Sequence, residues 1–157
     1  MKTTLKLDLE EAKVMIEAAK KKSEEINVLE TIAVVDAGGH VIALERMNGA
    51  RITGPDIAIA KGFTAAGHKR STHLFNKYPK GPVLPGNEAF GIQQMIPGKF
   101  AVFVGGFPIV VDGDVIGGIG ISGGNGEQDT AVGVAALQAL DNVLEGHSVT
   151  VEADIKE

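Results

Sequence analysis

Lys61 and His68 stand seven residues apart in the run Ala60-Lys61-Gly62-Phe63-Thr64-Ala65-Ala66-Gly67-His68. Two helical turns separate them, so both project from one side of a helix through this run. Such a pair is either the solvated side of a helix or one wall of a pocket for an acidic ligand. A second constellation is Arg46-Met47-Asn48-Gly49-Ala50. Arg46 can clamp a carboxylate through two parallel N–H bonds, and Met47 can pack against a flat apolar molecule. The plain alternative is a strand-end ion pair beside a core methionine. The third is Ser122-Gly123-Gly124-Asn125-Gly126-Glu127-Gln128-Asp129. Free backbone N–H groups at a helix start attract anions, but Glu127 and Asp129 already bring negative charge to that end. Helix capping accounts for the stretch without any ligand. The alternative is a ligand loop to which Ser122, Gly123, Gln128 and Asp129 contribute.

Several familiar site types are excluded or weak. His40, His68, His73 and His147 are the four histidines, and no two of them share a helical face at four-residue spacing. His68 and His73 lie roughly 140° apart around a helix, so a two-histidine metal site is not expected. A single histidine such as His68 can still serve as an axial haem ligand, as can Met47. Gly118, Gly120 and Gly123 spell G-x-G-x-x-G, but a dinucleotide site needs a βαβ unit and an acid at the end of the next strand. Here Asp141 and Glu145 fall within a helical pattern instead. These glycines read better as places where a helix or ligand approaches a sheet closely. Asp36 and Asp112 sit in turn sequences, where Asp bonds its own backbone, so neither is read as a catalytic carboxylate.

The elements that must position these residues follow from periodicity. Asp8 and Glu11 have capping-box spacing ahead of Leu9, Ala12, Ile16, Ala19 and Ile26, which predicts a helix over 9–25. Residues 31–35 and 41–45 form a predicted hairpin about the turn Asp36-Ala37-Gly38-Gly39. Pro55 suits a first helical turn, and the pattern predicts a helix from there to about Phe75. Its many Gly and Ala residues imply that another element packs close to it. Residues 78–91 read as a long loop, followed by a short helix over 91–96 and a strand over 100–104. A second hairpin pairs 108–111 with 115–122. The last predicted helix runs over 125–145, with Ala131, Val134, Ala135, Leu137, Leu140 and Leu144 inward. A short strand is expected at 149–151. The order α-β-β-α-β-β-β-α describes an α+β domain with an antiparallel sheet flanked by helices.

Composition bounds the rest. A chain of 157 residues fits one domain with a core of its own. Its net charge of −5, without a basic stripe, argues against nucleic acid. No apolar window reaches membrane-spanning length, and the start of the chain has no secretory-signal pattern. Cys is absent, which removes disulfides and thiolate sites and agrees with a cytoplasmic protein. Gly accounts for 21 residues, about twice the usual share.

The ordered motifs Ile32-Ala33-Val34-Val35-Asp36-x-Gly38-Gly39, Arg46-Met47-Asn48-Gly49-Ala50, Ala60-Lys61-x-x-Thr64-Ala65, Gly105-Gly106-x-Pro108, Gly113-x-Val115-Ile116-Gly117-Gly118-Ile119-Gly120-Ile121-Ser122-Gly123 and Gln128-Asp129 together resemble the GlcG/HbpS family. That family includes the C-terminal domain of PduO-type corrinoid adenosyltransferases. The resemblance covers nearly the whole chain. It implies one profilin-like α+β domain that forms homo-oligomers. It further implies a small-ligand or cofactor-binding accessory role, with haem or a corrinoid-related molecule as candidate, near diol, glycerol or glycolate metabolism. Asn48 stands where the family usually has Asp, Gly62 where it often has Ala, and the first helix carries no His.

Three functions are therefore weighed. A binding module is preferred; the alternatives are an enzyme acting on a small acidic metabolite and a structural partner of a metabolic enzyme. No catalytic residue or metal site is assigned. The expected ligand-binding residues are Arg46, Met47, Lys61, His68, Ser122, Gly123, Gln128 and Asp129. Lys61 and Arg46 converging on the loop over 122–129 would hold a carboxylate; if Asp129 neutralises one of them instead, the cluster is structural. Haem, if bound, is expected on His68 or His73 rather than His147.

Overall fold

The computed structural model describes residues 1–156. Helix α1 (Leu9–Glu25) opens with the expected capping box between Asp8 and Glu11 and buries Ala12, Met15, Ile16, Ala19 and Ser23. Strands β1 (Thr31–Asp36) and β2 (Val41–Arg46) form the first hairpin. Its turn is fastened by the Asp36 side chain, which accepts from Gly38 N at 2.9 Å and His40 N at 3.0 Å. Helix α2 (Gly54–His68) has Pro55 in its first turn. It ends earlier than the pattern predicts, because Lys69 turns left-handed at φ 51°. A separate 3-10 turn, Thr72–Phe75, follows.

Residues 76–105 hold only turns and a short 3-10 helix, Ile92–Gln94. The strand expected over 100–104 is absent. This stretch lies against α2 instead, where the Thr64 hydroxyl accepts from Ala101 N at 2.9 Å. Strands β3 (Gly106–Val111) and β4 (Asp114–Ser122) make the second hairpin, and helix α3 (Gly126–Val143) closes the fold. The strand expected at 149–151 is reduced to an isolated bridge between Val149 and Val111.

The sheet order is β2-β1-β4-β3, antiparallel throughout. The two hairpins thus lie side by side, joined at β1 and β4. Alternation along the strands sends Ile32, Val34, Ile119 and Ile121 into the main core with Phe107, Ile109 and the inward faces of α1 and α3. The centre of the other sheet face, at Ala33, Gly118, Gly120 and Gly106, carries very small side chains or none. One row across it reads Leu44, Ala33, Gly120, Gly106. Helix α2 lies directly on that row: a Cβ at Gly120 would collide with the Ala58 carbonyl, and one at Gly118 with the Gly62 carbonyl. Gly62, Gly106, Gly118 and Gly120 make this approach possible, while nine other glycines among the described residues take positive φ.

On α3 the buried stripe is Val132, Gly133, Ala136, Leu137 and Leu140, with Asp129 at its head. Ala131, Val134, Ala135 and Leu144 are only half-buried. The rotation has a packing cause. The Phe107 ring fills the space where Gly133 lacks a side chain, and this fixes which face turns inward.

Candidate functional site

Helix α2 carries Lys61 inward beneath the end of β4. Its ammonium donates to the Ile121 carbonyl at 2.6 Å and to Asp129 Oδ2 at 3.1 Å, and it lies 5.2 Å from the centre of the Phe103 ring. Lys61 and Asp129 are each 2% exposed. Asp129 is placed by the first turn of α3, and its other oxygen accepts from Gly124 N at 2.9 Å. Burial lowers the Lys61 pKa, against the pull of Asp129 and Glu30.

Glu30, at the entry to β1, completes this cluster and is fully buried. Among the described residues, no hydrogen-bond donor is placed on either of its carboxyl oxygens. Burial, then the neighbouring Asp129 carboxylate, raise its pKa to about 8, with the Lys61 charge opposing. Protonation of Glu30 relieves the repulsion between two adjacent buried carboxylates. Gly105, Gly123 and Gly124 make room for the group. A Cβ on them would come within 2.6 Å of Lys61 Nζ, 2.7 Å of Glu30 Oε2 and 2.9 Å of Asp129 Oδ1, respectively.

The other expected site residues distribute around this centre. Met47 touches it through Glu30, whose backbone N–H points at the Met47 sulfur at 3.4 Å, while Met47 N donates to the Glu30 carbonyl at 3.0 Å. Ser122 is buried at the end of β4. Gln128 spends its side chain in a capping box with Asn125. Arg46 is exposed at the end of β2, whereas Lys61 is buried. Glu30 had no motif to announce it. Its one sequence signal is an acid set directly before the apolar run 31–35.

His68 lies at the other end of α2, on the side covered by the same 99–105 stretch that covers Lys61. Its ring packs edge-on against Phe75 and Phe100, each 5.4 Å away, and Phe100 also meets Phe63. The imidazole is exposed. Partial burial, then the charge of Arg70, lower its pKa, so the neutral form prevails at pH 7. His73 and His147 instead contact Asp154 and Asp112. Among the described residues there is no group of three acids or histidines able to hold a metal ion, and no helix long and apolar enough to cross a membrane.

Three helices on a four-stranded antiparallel sheet, with α2 alone on one face, define a profilin-like α+β domain. Residues 7–138 match the family model described as haem degrading protein HbpS-like, and the chain belongs to that family. It is 35% identical over 137 residues to a 15.0 kDa protein of the dhaT–dhaS intergenic region of Citrobacter freundii, covering 87% of this chain and 94% of that one. It is 32% identical to the corrinoid adenosyltransferase PduO of Citrobacter freundii, covering 87% of this chain but only 40% of that protein. Among solved structures, a PduOC–haem complex superposes with a TM-score of 0.81 at 30% identity, covering 94% of this chain and 99% of that one. A double mutant of HbpS from Streptomyces reticuli superposes with a TM-score of 0.71 at 27% identity, covering 92% of this chain and 90% of that one.

Proposed function

We propose that this protein is a cofactor-binding accessory protein that takes up haem or a related tetrapyrrole and assembles with copies of itself. Its setting would be the cytoplasm and small-metabolite (diol, glycerol or glycolate) metabolism. The observation that carries this reading is His68. It is an exposed imidazole, neutral at pH 7, with phenylalanine rings on its flanks and no hydrogen-bond partner among the described residues. A ring nitrogen in that state can coordinate iron, and the rings offer a porphyrin an apolar bed. The residues present therefore fit haem through one axial histidine. The relation to the haem-bound PduOC structure supports the same reading. Bound haem would supply the iron chemistry; the chain would supply the donor, the apolar bed and shielding from water.

Titration of haem into the wild type and the His68→Ala, His73→Ala and His147→Ala variants, followed by absorbance, tests it. The haem band should shift in the wild type and in the last two variants and fail to shift in the first. A shift retained in His68→Ala and lost in His147→Ala overturns the assignment.

The cluster of Lys61, Asp129 and Glu30 favours a second reading, an enzyme acting on a small acidic metabolite. A buried acid with a raised pKa beside a lysine is a frequent mark of proton-transfer sites. In that reading Lys61, with Ser122, Gly123 and Gln128 at its rim and Arg46 and Met47 beyond, holds the carboxylate. Turnover of small hydroxy acids or diols that disappears in Glu30→Gln would establish it.

A further inference from the structure

A cleft of about 290 Å³ opens where the turn after Thr72–Phe75 meets the end of the described chain. Arg70, Lys77, Lys80 and Lys156 line it together with Leu74, Tyr78, Pro79 and Pro82. Four cations on one cleft are unexpected in a chain of net charge −5. Among the described residues no carboxylate lines the cleft, and Lys77 alone of the four has a described ion pair, with Asp154 at 3.1 Å. The apolar residues give it a floor that a simple inorganic anion does not need. Its chemistry thus suits a ligand with an apolar body and more than one negative charge.

Position connects the cleft to His68. Arg70 lies 5.2 Å from the centre of the Phe75 ring, and His68 packs on the same ring at 5.4 Å. Imidazole and guanidinium therefore both contact one buried phenylalanine, and the charge of Arg70 is felt by His68. A tetrapyrrole such as haem is a flat apolar disc carrying two carboxylates on one edge. We propose that the cleft of Arg70, Lys77, Lys80 and Lys156 receives the carboxylates of the tetrapyrrole whose metal would be held by His68. The proposal rests on the haem reading for its ligand, but the two parts can be separated.

Metal-free protoporphyrin separates them, because it keeps both carboxylates and has no iron for His68 to bind. Its fluorescence on titration reads the cleft alone. The wild type and His68→Ala should bind it alike, and more weakly as salt rises, since exposed charges are screened. The Arg70→Gln/Lys80→Gln/Lys156→Gln variant should bind roughly tenfold or more weakly and lose the salt dependence. Lys80→Gln/Lys156→Gln, which changes only exposed side chains, should show a smaller loss in the same direction and guards against misfolding of the triple variant. Haem should follow the same order with an unchanged band position, because the iron ligand is untouched. Equal protoporphyrin affinity in wild type and triple variant overturns the cleft assignment. A charge-dependent protoporphyrin signal with an intact haem shift in His68→Ala supports the cleft and overturns only the iron ligand.

Discussion

The ammonium of Lys61 and the carboxylate of Asp129 meet at 3.1 Å with both residues 2% exposed, one from the middle of α2 and the other from the first turn of α3. The contact pins two helices on opposite sides of the sheet to the end of β4. Breaking such a pair from one side strands a charge in the interior. Lys61→Met should therefore lower stability by roughly 3–5 kcal/mol. Urea unfolding of the variant against the wild type measures it; an unchanged midpoint would show that the pair is dispensable to the fold and free for a ligand.

Glu30 gives stability a pH dependence of defined sign. Its pKa is raised from 4.5 to about 8 in the folded protein, so between those values the folded state holds a proton that the unfolded state has released. Its contribution is full below about pH 4.5 and is lost as pH rises through about 8, at a slope on the order of 1 kcal/mol per pH unit. Glu30→Gln mimics the protonated acid and should flatten that fall. Unfolding curves for both proteins at several pH values between about 5 and 9 decide it, and parallel profiles would place the titration elsewhere.

Gly120 is the point of closest approach between α2 and the sheet. One methyl group there meets the Ala58 backbone, which has no rotamer to change. Gly120→Ala should cost roughly 1–3 kcal/mol by overpacking, whereas Gly67→Ala, which meets nothing within 4 Å, should be neutral or stabilising. Thermal melts of the two single variants check the contrast.

Exposed Ile52, Phe90, Met95, Ile96 and Phe103 offer apolar surface that a second copy of the chain would cover. Light scattering at micromolar concentration should give a multiple of the 16.3 kDa chain mass; a mass near the single-chain value removes the expectation.

Where a local rule acts alone, the sequence was a sufficient guide. The bounds of α1 follow from Asp8 and Glu11, and both hairpins follow from alternation around glycine turns. Legibility failed where tertiary contact decides. The end of α2 is set by Lys69, a residue type with no stop signal of its own, taking a left-handed turn. Residues 100–104 have the composition of a strand but are held by Thr64 of the helix they cross. The inward face of α3 was displaced by the Phe107 ring settling over Gly133. Lys61 and Asp129 were legible as candidates from their motifs. Glu30 was not, because a lone acid before a strand becomes informative only when the fold seals it beside another.

The glycine row beneath α2 also dictates where this protein can move. A helix seated backbone to backbone on a sheet has no side-chain layer to slide over, so that contact opens only when the whole domain unfolds. Amide protons of β1 and β4 should thus exchange with solvent only by global opening. Residues 76–105, held mainly by turns, should exchange through local openings far more frequently. Breathing near His68 and the cationic cleft then belongs to this outer segment, while the central sheet stays rigid beneath it.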